Sequence, residues 1–169
     1  MEQKDVLKAL QRDHAAELKL AAERLSGTAK HTETIPSPVL SEMTGHTILL
    51  KPENLQVTGS FKIRGAYNKI ASLSEEELAR GIVTASAGNH AQGVAYAARE
   101  RGAKATILMP TITPPLKVDA TKAYGADVVL HGDVFDEAAA YAAELSEKQG
   151  MVYVPPFDDY EVLCGQGTI

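Results

Sequence analysis

The stretch Ile82-Val83-Thr84-Ala85-Ser86-Ala87-Gly88-Asn89-His90-Ala91-Gln92-Gly93 decides the fold. Three β-branched residues and an alanine read as a buried strand. A Ser–Gly turn follows, and an alanine-rich run to Arg101 reads as a helix over 90–101. The alternation then repeats: strand 105–109, helix 114–124 with proline in its first turn, strand 127–130, helix 134–149 and strand 151–154. Strand starts at 82, 105, 127 and 151 are 23, 22 and 24 residues apart, the length of one strand plus one helix. Parallel strands joined by right-handed helical crossovers are implied by that spacing. The fold class is α/β, an open, mostly parallel sheet with helices on both faces, since four units cannot close a barrel. In such sheets the ligand site lies beyond the carboxyl ends of the strands.

Upstream, Val6, Leu7, Leu10, Leu18, Ala21, Ala22 and Leu25 recur at helical spacing and predict one amphipathic helix over 4–25, stopped at Gly27. Residues 26–38 read as a loop. Short apolar runs at 39–40 and 47–50 flank a turn at Thr44-Gly45-His46, and the second run predicts a strand. After a loop over 51–59, Ser60 opens a predicted helix to about Ala71. Ser74 and Glu77 have capping-box spacing for a short helix ending at Gly81. Residues 155–159 read as a loop and 160–169 as the opening of a further helix, so a larger fold is expected.

The chain has 169 residues and a net charge of −5. A negative balance argues against general binding to nucleic acid or an anionic membrane. Cys164 is the lone cysteine, so neither an intrachain disulfide nor a cysteine-based zinc site can form, in keeping with a cytoplasmic location. The sequence contains no apolar signal core and no run of membrane-spanning length.

Two segments carry chemistry. Lys62, in Thr58-Gly59-Ser60-Phe61-Lys62-Ile63-Arg64-Gly65-Ala66, falls in the first turn of a predicted helix. The helix dipole and the neighbouring Phe61 should lower its pKa, and a neutral amine can form a Schiff base. Ser86-Ala87-Gly88-Asn89-His90 lies between a strand and a helix, where free N–H groups suit a carboxylate or phosphate. It is neither a dinucleotide fingerprint nor a P-loop: Asn89-His90 breaks the first and Val94-Ala95 replaces the Lys-Ser/Thr of the second. The histidines His14, His31, His46, His90 and His131 lack metal-ligand spacing, and no metal site is expected. His90 is read as capping or packing at its helix start, Asp158 and Asp159 are not a catalytic pair, and Cys164 is a small buried residue.

Pro52-Glu53-Asn54-Leu55-Gln56 with Thr58–Ala66, followed by Ser86-x-Gly88-Asn89-His90-x-Gln92-Gly93, resembles the threonine/serine dehydratases, enzymes dependent on pyridoxal 5'-phosphate (PLP) with the tryptophan-synthase-β fold. The likeness continues through Met109-Pro110, Lys117, Gly125-Ala126, Pro155–Asp158 and Gly165–Ile169. It implies that Lys62 carries PLP as a Schiff base and later moves the substrate's α-proton. It further implies that Phe61 packs near the ring, that Asn89 bonds its phenolic oxygen, and that Ser86, Gly88, Asn89 and His90 hold the substrate carboxylate. The implied reaction converts L-threonine to 2-oxobutanoate, or L-serine to pyruvate, with release of ammonia, in isoleucine biosynthesis or threonine catabolism. A homo-oligomer is implied for the intact enzyme.

Gly59 ahead of Ser60-Phe61-Lys62 resembles catabolic dehydratases and serine racemases more than biosynthetic deaminases. Racemases of this family carry a second serine where this chain has Ala87, so dehydration is the preferred reading and a racemase-like enzyme an alternative. The family anchors the PLP phosphate on consecutive glycines, and none of the thirteen glycines here are adjacent. The resemblance therefore covers an N-terminal portion: 1–51 as the first pieces of a large lobe, 52–152 as a small α/β lobe, and 153–169 as the return to the large lobe. Little or no activity is expected of this portion alone. The other readings are a non-catalytic ligand-binding or assembly module and complementation by a second chain.

Overall fold

The computed structural model describes residues 12–169. Helix α1 spans His14–Leu25, and Asp13 caps it by accepting the N–H groups of Ala15 and Ala16, both at 3.1 Å. The single helix expected over 4–25 is corrected here: extended backbone at Asp13 sets a new start, and positions 4–11 lie outside the described residues. Strand β1 (Ile35–Pro36) pairs antiparallel with β2 (Leu49–Leu50), and helix α2 (Pro38–Thr44) lies between them. The loop expected over 26–38 therefore holds a short strand, and the apolar pair at 39–40 belongs to a helix. Ser37 caps that helix and Pro38 fits its first turn.

A 3₁₀ turn at Glu53–Leu55 leads to helix α3, Lys62–Ala71. This helix starts two residues later than expected, because Gly59 takes a left-handed conformation (φ 73°) and Ser60 stays outside. Helix α4 (Glu75–Ala79) has the expected capping box: Ser74 Oγ accepts the Glu77 N–H at 3.2 Å, and the Glu77 carboxylate accepts the Ser74 N–H at 2.9 Å.

The expected βα alternation comes next: β3 (Ile82–Ala85), α5 (Asn89–Glu100), β4 (Ala105–Met109), α6 (Pro115–Ala123), β5 (Asp127–Leu130), α7 (Phe135–Gln149), β6 (Val152–Tyr153) and α8 (Tyr160–Gln166). The four strands are parallel in the order β5-β4-β3-β6. Side chains alternate across the sheet. Ile82, Ile107 and Met109 pack under α3, α5 and α6, and Val83, Ala85 and Leu108 pack against Ala138 and Ala142 of α7. Helices thus cover both faces. Ile82, Val83, Ile107 and Leu108 are fully buried, each contributing about 1.5–3 kcal/mol of apolar transfer energy.

The chain moves from β3 to β4 on one side and returns at β6 on the other, so the strand order reverses at β3. The loops leaving β3 and β6 consequently lie side by side at the carboxyl edge, the crevice such sheets use for ligands. Helix α3 packs against both α5 and α8 at very short range. A Cβ on Gly93 would lie 3.2 Å from the Lys62 carbonyl oxygen, and one on Gly165 only 2.5 Å from the Arg64 carbonyl oxygen and 2.6 Å from Gly65 Cα. These glycines let the backbones touch.

Candidate active site

Lys62 is the first residue of α3; the N-cap residue Phe61 brings no capping side chain, and Ser60 Oγ accepts the Lys62 N–H at 3.4 Å. The amine is half-buried and donates to the Pro156 carbonyl at 2.6 Å, so its partner is the loop after β6 and not a carboxylate. Burial lowers its pKa, the direction expected from sequence. The Phe61 ring centroid lies 5.5 Å from Nζ, and the ring remains partly exposed.

The loop after β3 supplies the second half. Gly88 is the N-cap of α5 and brings no capping side chain. The first N–H groups of α5 thus remain available as donors. Ser86 is buried, and its Oγ accepts the Gly88 N–H at 3.2 Å. Asn89 is exposed, and a Cβ on Gly88 would meet nothing within 4 Å, so the mouth of this cradle is open.

His90 ties the halves together. It is 3% exposed, and its Nε2 donates to the Val154 carbonyl at 3.1 Å, an oxygen that also accepts the Thr84 hydroxyl at 2.6 Å. A carbonyl can only accept, so Nδ1 is the unprotonated nitrogen, and it is buried without a partner. Of the two roles read from sequence, packing holds. Burial opposes protonation and the nearby Lys62 charge adds to it, against the favourable bond to Val154, leaving the pKa at about 4 instead of 6.5. A histidine depressed in the folded state stabilises fully above its unfolded pKa and loses that contribution as pH falls. Denaturant unfolding should therefore show about 3 kcal/mol lost between pH 6.5 and 4. His90→Asn should flatten that slope, and a slope unchanged in the variant would assign it to other groups.

The fold brings Lys62, Ser86, Gly88, Asn89 and His90 to one edge, with Phe61 at the rim. Sequence reading missed the support beneath Lys62. Glu53 and Arg64, read as parts of a loop and a helix, form a buried ion pair with distances of 2.7 Å (Nε to Oε2) and 3.0 Å (Nη2 to Oε1). The signal available was their fixed place in the motif around Lys62. Cys164 is buried, and burial raises its thiol pKa, which suits a packing role. A separate cleft of about 560 Å³ lies beyond Arg64, lined by Leu25, Lys30, His31, Lys51 and Thr168, and does not reach Lys62.

Residues 25–169 match the family described as pyridoxal-phosphate dependent enzyme. The chain belongs to that family. This PLP-dependent chain is 56% identical over 153 residues to the L-threonine ammonia-lyase of Thermotoga maritima, covering 90% of itself and 38% of that protein. It is 54% identical over 130 residues to the biosynthetic L-threonine dehydratase of Escherichia coli, covering 77% of itself and 25% of that protein. Among solved structures, it superimposes on threonine deaminase isoform 2 of Solanum lycopersicum with a TM-score of 0.87 and 44% identity, covering all of this chain and 45% of that one. For the serine racemase of Dictyostelium discoideum the TM-score is 0.84 and the identity 37%, covering 90% of this chain and 50% of that one. The chain thus spans between a quarter and a half of these relatives. The tryptophan-synthase-β-like fold expected from the motifs is the one observed.

The residues present suit the cofactor. PLP offers an aldehyde and anionic groups, and the edge holds a half-buried lysine amine beside an uncapped helix start whose mouth is open.

Proposed function

We propose that the chain serves the PLP-dependent dehydration and deamination of L-threonine, or of L-serine, to 2-oxobutanoate or pyruvate and ammonia. The observation that carries this reading is Lys62, a half-buried amine in the first turn of α3 that donates to the Pro156 carbonyl in the loop after β6, its pKa lowered by burial. Relatives bearing threonine ammonia-lyase and dehydratase names support it.

In this reading Lys62 Nζ holds the cofactor and, once released, takes the α-proton of the substrate. Its bond to the Pro156 carbonyl gives the free amine a fixed direction. Ser86, Gly88, Asn89 and His90 hold the substrate carboxylate. The Asn89 side chain, exposed at the mouth, serves the phenolic oxygen, and Phe61 packs against the ring. When bound, the cofactor supplies an electron sink for the bonds at the α-carbon. Ala87 has no proton to deliver to the opposite face, which favours elimination over racemisation. Residues 52–152 act as the small lobe, with 1–51 and 153–169 belonging to the large one. The working protein is a cytoplasmic homo-oligomer acting on a small amino acid. Among the described residues, no helix is long and apolar enough to cross a membrane.

Joined to the part of the Thermotoga maritima enzyme beyond the matched stretch, the chain should release 2-oxobutanoate from L-threonine. The chain alone, at 38% of that relative's length, should release little or none. A chimera that folds and binds PLP yet yields neither oxo acid would remove the proposal.

A further inference from the structure

Charged and amide side chains are normally solvated, yet those on either side of Lys62 are buried. Glu53 is 9%, Gln56 4% and Arg64 7% exposed. Glu53 also accepts the Thr32 hydroxyl at 2.7 Å and the Gln56 amide at 3.3 Å. Gln56 in turn clasps the main chain of Lys30, accepting its N–H at 2.9 Å and donating to its carbonyl at 2.7 Å. Arg64 Nη1 donates to the Thr168 hydroxyl at 3.2 Å. Burial opposes ionisation of Glu53, but the bonds from Arg64, Thr32 and Gln56 outweigh it and hold its pKa at about 2.

Stability alone does not call for such a pair, because apolar residues of similar volume often do as well. A two-pronged guanidinium–carboxylate contact adds geometry, fixing both the height and the rotation of the turn that carries it. Positions 62 and 64 are about 200° apart around a helix, so Arg64 grips the first turn of α3 from the side away from the Lys62 amine. The Gly65 N–H, left free by the helix start, is taken by Gln166 Oε1 of α8 at 3.2 Å. The turn is thus held from outside at two places.

We propose that the Glu53–Arg64 pair is a positioning device for Lys62, setting where its amine stands against the Pro156 carbonyl and the α5 cradle. The inference rests on the reading of Lys62 as the cofactor lysine. Glu53→Gln keeps the shape and removes the charge. Arg64→Lys keeps the charge and removes the fork. In chain labelled with ¹³C at lysine Cε, the Lys62 titration midpoint, assigned by Lys62→Arg, should rise in both variants as the amine becomes hydrated. The Lys62 share of borohydride-trapped pyridoxyl label should fall about threefold, in proportion to lost placement. Glu161→Gln breaks the Arg24 ion pair on α8 (3.0 Å) and serves as the structural control. It should lower the melting temperature and leave the midpoint in place.

An unchanged midpoint in either folded variant overturns the positioning role, as does a midpoint that moves equally in Glu161→Gln. Label scattered over many lysines in the unsubstituted chain would instead refute the cofactor reading, while the titration, which needs no PLP, still decides whether the pair places the amine.

Discussion

Lys62→Ala is expected to abolish the visible absorption band that forms when the chain is titrated with PLP. Reduction with borohydride and peptide mapping should find the pyridoxyl group on Lys62 in the unsubstituted chain. In the variant, the total label should fall about tenfold, leaving slow, scattered reaction at exposed lysines. The expectation comes from placement. Lys62 is half-buried, its pKa is lowered by burial, and its amine is aimed by one main-chain carbonyl. Exposed lysines spend little time as free amines near neutrality and have no fixed direction. The substitution removes a partly exposed side chain at a helix start, so the melting temperature should hardly move. A band of equal strength in the variant would place the reactive amine elsewhere.

The second large effect is on stability. Gly165→Ala puts a methyl group 2.5 Å from the Arg64 carbonyl oxygen and 2.6 Å from Gly65 Cα. Both are backbone atoms of the turn that carries Lys62, and neither can turn aside as a side chain could. Helix α8 must back away from α3, at a cost of about 3 kcal/mol or more. For a chain of this size that lowers the melting temperature by roughly 10 °C. Gly88→Ala is the contrast. Its φ is negative (−143°) and its added methyl meets nothing within 4 Å, so stability should change by less than about 0.5 kcal/mol. Equal melting temperatures for the two variants would contradict the close α3–α8 approach.

Much of the fold was legible in the sequence because period and punctuation carry it. The β-branched run at 82–84, the glycines after the crossover helices (Gly102, Gly125 and Gly150) and the regular spacing of strand starts specify a parallel α/β sheet without any tertiary information. Lys62 at a helix start and the Ser86–His90 turn were legible for the same reason, being local. The features that were not legible depend on distant partners. Ile35–Pro36 forms a strand only because Leu49–Leu50 lies beside it. Residues 39–40 read as a short apolar run, yet the Ser37 cap and Pro38 make a helix over Pro38–Thr44. Glu53 and Arg64 look like solvated charges until Thr32, Gln56 and Thr168 close around them. The helix start at Asp13 was hidden by apolar residues whose helical spacing in the sequence continues past it.

The α3–α8 contact also bears on the order in which the molecule assembles. The β3–β4 and β4–β5 pairings join strands some two dozen residues apart, so their loop closure is cheap and these βα units can form early. The turn carrying Lys62 waits for Gln166, 101 residues beyond the Gly65 N–H it accepts. On a ribosome the sheet would be in place before the reactive lysine acquires its setting. An amine that stays hydrated and undirected until the chain has closed around it is a poor target for stray aldehydes while the protein is still being made.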